Sequence, residues 1–265
     1  MDAPIGVIDS GVGGLTVVKE MLKVLPKEKI IYIGDTARCP YGPRPAAEVI
    51  KFTFDMAEAL KKQHIKLLVV ACNTATAVAL DLLQEKMPFP VIGVIFPGAR
   101  AAIKATKTHD IAVLGTVGTI KSGAYEKAIL ALSSSASIVP LACPKFVPVV
   151  ESGEYEGPIA KKVVEETLLP LKEKKFDTII LGCTHYPLLS GFIKETVGSE
   201  VEVLSSGEET VKDIQDLLDY HGMRSTEKRS VKPVFYTSGS ASLFKKIVSR
   251  WLSLEDADVR TISFT

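Results

Sequence analysis

The chain has no run of about 18 consecutive apolar residues, so nothing in it reads as a transmembrane helix. Its first residues, MDAPIGVIDSG, carry an acid where a secretory signal would carry Lys or Arg, and the apolar run is too short for a signal's hydrophobic core. A cytoplasmic protein without membrane association is expected. Charge of one sign is also missing, since 32 Lys and Arg face 31 Asp and Glu. Without a basic excess, nucleic acid and anionic membrane are poor candidates as partners, and a small soluble molecule is favoured. Cysteine is sparse. Cys39, Cys72, Cys143 and Cys183 lie far apart and form no C-x-x-C pair, which argues against structural zinc or a thioredoxin-like motif. In a reducing compartment they are free thiols, either buried apolar filler or groups that move protons or attack substrates.

What the chain does have is a regular alternation. Short aliphatic runs (IGVID, KIIYIGD, KLLVVAC, FPVIGVI, DIAVLGT, SIVPLAC, DTIILGC, VEVLSS and PVFYTSG) are separated by stretches such as AAEVIKFTFDMAEALKKQ, with apolar residues at helical spacing. Strands apolar on both faces and alternating with helices indicate parallel sheets covered on both sides, so the fold class is α/β. The 265 residues, 46% of them hydrophobic, suit two domains of ordinary size. A weak internal repeat agrees: IGVIDSGVG at 5–13 resembles IAVLGTVGT at 111–119, and VVACNTA at 69–75 resembles IILGCTHY at 179–186. FPG at 96–98 punctuates the chain after FPVIGVI, so the expected division is residues 1–96 with 207–265, and 97–206 as an insertion. MRSTEKRSVK at 223–232 reads as a solvated connection.

In open α/β sheets, ligands bind at the carboxyl ends of strands. Four polar groups fall at such ends: Asp9 with Ser10, Asp35, Cys72 with Asn73 and Thr74, and Cys183 with Thr184 and His185. The helices expected at about Thr74 to Lys86 and Tyr186 to Val197 would present N-termini there, which favour anions and lower a thiol's pKa. Asn73, Thr74 and Thr184 are also ordinary N-caps. His185, two residues beyond Cys183, is a candidate proton partner for it or a donor to a carboxylate. Asp9 ends a buried strand and so needs a partner, for which a substrate ammonium would serve. GVGG at 11–14 departs from the G-x-G-x-x-G spacing and is set aside as a dinucleotide loop. PYGPRP at 40–45 is a stiff loop in which Tyr41 either covers a ligand or packs the loop.

Together IGVIDSGVGGLTV, IYIGDTARCPYGPR, VVACNTATA and LGCTHYPLL resemble the glutamate racemases of the cofactor-independent aspartate/glutamate racemase superfamily, over the whole chain. The resemblance implies two similar α/β domains facing each other across a central cleft, with L- and D-glutamate as substrate and no pyridoxal phosphate, nucleotide or metal. It implies Cys72 and Cys183 as the acid/base pair, with Asp9, Ser10, Pro40, Tyr41, Gly42, Asn73, Thr74, Thr184 and His185 around the substrate. Glu151, in VVESGEY, matches a further carboxylate near the family's site, and a homodimer supplying D-glutamate for peptidoglycan is the family's usual context. Two thiols suit inversion of a stereocentre, because one group removes a proton from one face while the other delivers to the opposite face. Residue chemistry alone leaves open aspartate racemisation or a related one-cysteine reaction, a non-catalytic amino-acid-binding module, and a thiol hydrolase, although a hydrolase gives the second cysteine no role.

Overall fold

The computed structural model describes residues 2–264. Its strands are β1 (Ile5–Asp9), β2 (Ile30–Gly34), β3 (Leu67–Val70), β4 (Val91–Gly93), β5 (Asp110–Gly115), β6 (Ser137–Ala142), β7 (Thr178–Gly182), β8 (Glu202–Ser205), β9 (Val234–Thr237) and β10 (Asp258–Thr261). Between them run α1 (Leu15–Val24), α2 (Ala46–Lys61), α3 (Asn73–Lys86), α4 (Ile95–Ala105), α5 (Val117–Lys121) and α6 (Ala124–Leu132). The remainder are α7 (Phe146–Glu151), α8 (Pro158–Leu168), α9 (Ser190–Val197), α10 (Ser206–Tyr220) and α11 (Ala241–Leu252). No helix among the described residues is long and apolar enough to cross a membrane.

Two all-parallel sheets result, one ordered β10-β9-β2-β1-β3-β4 and the other β6-β5-β7-β8. The central strands β1, β3 and β7 are buried at every position, as their mainly aliphatic runs require. Each buried Val, Leu or Ile there contributes about 1.5–3 kcal/mol by leaving water. Edge strands read differently. β6 carries Pro140 at its outer edge, where no ladder donor is needed, and β10 is mostly exposed, so DVRT lacked the apolar signal that marked the other nine strands.

The segments that resembled each other in sequence occupy equivalent places. β1 lies between β2 and β3 as β5 lies between β6 and β7, and β4 and β8 complete the two series in the same order. One apolar cluster runs from Val7 and Val69 in the first sheet through Val211 and Leu218 of α10 to Ile179 in the second, so the two sheets share packing.

Three local expectations change. Pro97 and Gly98 do not break the chain but lie in the first turns of α4, where a missing N–H costs nothing. The segment after Cys183 opens with a 3₁₀ turn, Tyr186–Leu189, before α9 begins, because Pro187 suits a helix start and the turn tightens there. The 223–232 loop is anchored rather than loose, since the buried Glu28 accepts from Ser225 N–H at 2.8 Å while Lys66 bridges Glu28 and the Met223 carbonyl.

Candidate active site

The chain turns back on itself in each sheet, leaving β1 for β2 on one side and then crossing to β3 on the other, as β5, β6 and β7 do in the second sheet. A crevice opens at such a reversal, beyond the strands' carboxyl ends. Ser10 and Cys72 flank the first crevice, and Thr116 and Cys183 flank the second. All four line one cavity of about 200 Å³. A larger cavity, about 400 Å³, lies behind Cys39 and Glu151 and is bounded by α11, but it holds neither Cys72 nor Cys183.

Cys72 is the N-cap of α3. Its sulfur accepts the Ala75 N–H at 3.5 Å and donates to Ser10 Oγ at 3.7 Å. The helix start was expected to lower this thiol's pKa. Burial outweighs it, Asp9 adds to the effect, and the thiol is pushed up to about 12 despite the Ala75 and Ser10 contacts. Cys72 therefore rests as a thiol.

The other sulfur has a charged neighbour. Cys183 Sγ stands 3.8 Å from His185 Nδ1, and His185 Nε2 is 3.1 Å from Glu151 Oε1. Burial would discharge this imidazole, yet hydrogen bonds to Cys183 and Glu151, with the charges of Cys183 and Asp9, raise it to about 10. At neutral pH His185 is a cation between two partners. Desolvation works against the Glu151 carboxylate, but His185 and then Cys39 hold its pKa below the usual range.

Asp9 is fully buried and lies beneath the cavity rather than in its lining. Its Oδ1 accepts the Gly11 N–H at 2.9 Å and its Oδ2 accepts the Thr184 hydroxyl at 3.2 Å. Burial raises its pKa against the lowering effects of His185, Gly11 and Thr184. Two protein donors thus face Asp9, which the sequence paired with a substrate ammonium. The GVGG loop explains itself here. A Cβ on Gly13 would collide with Thr184 Oγ1 and the His185 ring, so glycine lets this loop seat against them.

Tyr41 is packed, not poised. Its hydroxyl donates to the buried Asp35 at 2.5 Å and its ring tilts against Phe52, while Ser238 and Arg38 complete the Asp35 shell. Pro40, Tyr41 and Gly42 line the cavity with this network behind them, and the Gly42 carbonyl accepts the Gly118 N–H from α5 at 2.8 Å. Asp35, a strand-end acid in the sequence, is therefore a loop anchor.

The donors converge from both sheets. Asn73 Oδ1 accepts from Tyr125 at 2.7 Å, while the buried Nδ2 has no acceptor among the described residues. Thr74, Thr116 and Thr119 form a hydroxyl triangle with sides of 2.9, 3.2 and 3.0 Å. Thr116 and Thr119 were missed in the sequence, as was the wall formed by Cys143 and Val147. The signal for the threonines was present, because GTVGT ends β5 as DSGVG ends β1. His64, His109 and His221 do not line the cavity.

The model of the family described as Asp/Glu/Hydantoin racemase matches residues 5–214. The chain is 60% identical over 263 residues to glutamate racemase of Lysinibacillus sphaericus, covering 99% of each. It superposes on a glutamate racemase isoform of Bacillus anthracis with a TM-score of 0.96 at 49% identity, covering 98% of this chain and 97% of that one. Glutamate racemase of Francisella tularensis, solved in complex with D-glutamate, gives a TM-score of 0.92 at 33% identity, covering 99% and 98%.

Proposed function

The chain belongs to the Asp/Glu/Hydantoin racemase family and is an amino-acid racemase, an isomerase, and on that premise we propose that it interconverts L- and D-glutamate with Cys72 and Cys183 as its two acid/base groups. The observation that carries this reading is that both sulfurs line a single cavity together with Asn73, whose buried Nδ2 is a donor without an acceptor among the described residues. The Francisella relative, solved in complex with D-glutamate, supports the choice of amino acid.

One sulfur removes the α-proton and the other returns a proton to the opposite face. The unequal surroundings suit an unequal start: Cys72 rests as a thiol, and the His185 cation offers a thiolate on Cys183 an adjacent counter-charge. Two such groups supply about 10²–10⁴-fold each in typical acid/base catalysis. The carbanion is the costly species, and it is stabilised by donors fixed in advance around the carboxylate. Asn73 Nδ2, Thr74 and the start of α3 serve as those donors, with Thr116 and Thr119 behind Thr74, and Thr184, whose hydroxyl donates to Asp9, lines the cavity beside Cys183. Ser10, Pro40, Tyr41 and Gly42 close the cavity around the ligand. Asp9 acts from beneath, through Thr184 and through its charge on Cys72. The reaction requires no cofactor, so dialysis against chelator should leave the rate unchanged.

We assign residues 1–96 with 207–265 to one domain and 97–206 to the other, closing on the substrate as a homodimer's subunit in the cytoplasm and supplying D-glutamate for peptidoglycan. The test is incubation with D-glutamate in deuterated water, following optical rotation and α-deuteration together. Loss of rotation with one deuterium per molecule is expected. Deuteration of aspartate but not glutamate would transfer the reading to aspartate, and no exchange with either would reduce the site to a binding module.

A further inference from the structure

Cys39 is the one described thiol that takes part in neither crevice as a strand-end group, yet it touches the site's charged chain. It follows β2, in the same loop as Pro40 and Tyr41, and reaches across to α7 of the other sheet, where its Sγ lies 3.3 Å from Glu151 Oε1. The same oxygen faces His185 Nε2 at 3.1 Å. Cys39 also contributes to both cavities, so it stands in the wall between them. Its sulfur is wedged: a Cβ on Gly11 would meet it at 3.0 Å and Glu151 Oε1 at 3.6 Å.

Resting on the racemase reading, we infer that Cys39 is a positioning residue for the Cys183 side of the site, donating its S–H across the cleft to hold Glu151 on His185. Burial, followed by the Glu151 charge, raises the Cys39 thiol, so it stays protonated and serves as a donor. The need for a clamp follows from exposure. Glu151 is 35% exposed at its side chain whereas His185 is 3% exposed, so without a second donor the carboxylate is free to turn toward water and leave the imidazole behind. The groups facing this pair are Cys183 and Asp9 from the β7 and β1 ends, Cys39 itself, and across the larger cavity Lys246 and Arg250 of α11. None of the other four supplies Glu151 with a neutral donor.

The consequence is directional. Loss of the clamp weakens the acidic partner of His185, the imidazole gives up its proton at lower pH, and the alkaline limb of the rate profile moves down. Cys39→Ala and Cys39→Ser should be compared with the parent in kcat, KM and pH profile, and the His185 imidazole followed by NMR, with His185→Asn giving the assignment. Cys39→Ala should lower kcat about tenfold with KM little changed, and His185 should titrate at lower pH. Cys39→Ser, which keeps a donor, should recover most of both. An unmoved His185 titration in Cys39→Ala overturns the inference, as does a loss confined to KM or a serine variant as impaired as alanine. The NMR titration needs no turnover, so it separates failure of this inference from failure of the glutamate assignment.

Discussion

Tyr125 and Asn73 join the two sheets at the cavity: the Tyr125 hydroxyl, from α6, donates to Asn73 Oδ1 at 2.7 Å and thereby fixes which end of the amide stays open. The Nδ2 end is buried without an acceptor among the described residues. Tyr125→Phe removes the hydrogen bond that orients the amide, worth about 1 kcal/mol, so kcat/KM should fall about fivefold. Asn73→Ala should lower kcat/KM further. Steady-state kinetics in both directions check the order, and a larger effect at Tyr125 than at Asn73 would contradict it.

Removing either sulfur tests the core of the mechanism. Cys72→Ser and Cys183→Ser should each cut turnover by about 10²-fold or more while circular dichroism stays native, because serine's hydroxyl is far too weak an acid to alternate between forms. Near-parental turnover in one variant would take that sulfur out of the chemistry.

Asp9 raises the Cys72 pKa second only to burial. Asp9→Asn should therefore bring Cys72 down from about 12 and speed its alkylation by iodoacetamide at a fixed mildly alkaline pH. Peptide mapping of the labelled protein gives the rate at Cys72 alone, and an unchanged rate would show that burial sets the value by itself.

His185 contributes to stability in a particular window. Its folded pKa, about 10, lies above the ordinary histidine value, so folding takes up a proton at this site. The stabilisation is fully present below about pH 6.5 and is lost as pH rises toward 10. Melting temperature should accordingly fall between neutral pH and pH 10 more steeply in the parent than in His185→Asn. Parallel curves would rule out this origin.

Gly13→Ala should lower stability by about 1–3 kcal/mol, since its methyl group meets Thr184 and the His185 ring in a packed site. Denaturant titration measures the loss, and activity should fall with it because the same two residues flank Cys183.

The sequence made the central strands legible because β1, β3 and β7 are mainly aliphatic and buried at every position, and it made both cysteines legible because each follows such a strand. β10 stayed hidden because an exposed edge strand needs no apolar run. Thr116 stayed hidden because a hydroxyl after a strand reads as a cap, and it does cap α5 by accepting from Thr119 N–H. The orientation of Tyr41 depends on Asp35 and Ser238, which lie 203 residues apart. Charge states were the least legible: local sequence offered Cys72 a helix start, while burial and Asp9 came from the fold.

The unlike flanks of Cys72 and Cys183 meet a constraint from outside the protein. Mirror-image amino acids have the same free energy in water, so the two directions of a racemase share one value of kcat/KM whatever the residues do. The His185 and Glu151 pair on one side, with Ser10, Asp9 and the Ala75 N–H on the other, can only shift weight between saturation and speed. Whichever enantiomer is held more tightly must turn over more slowly.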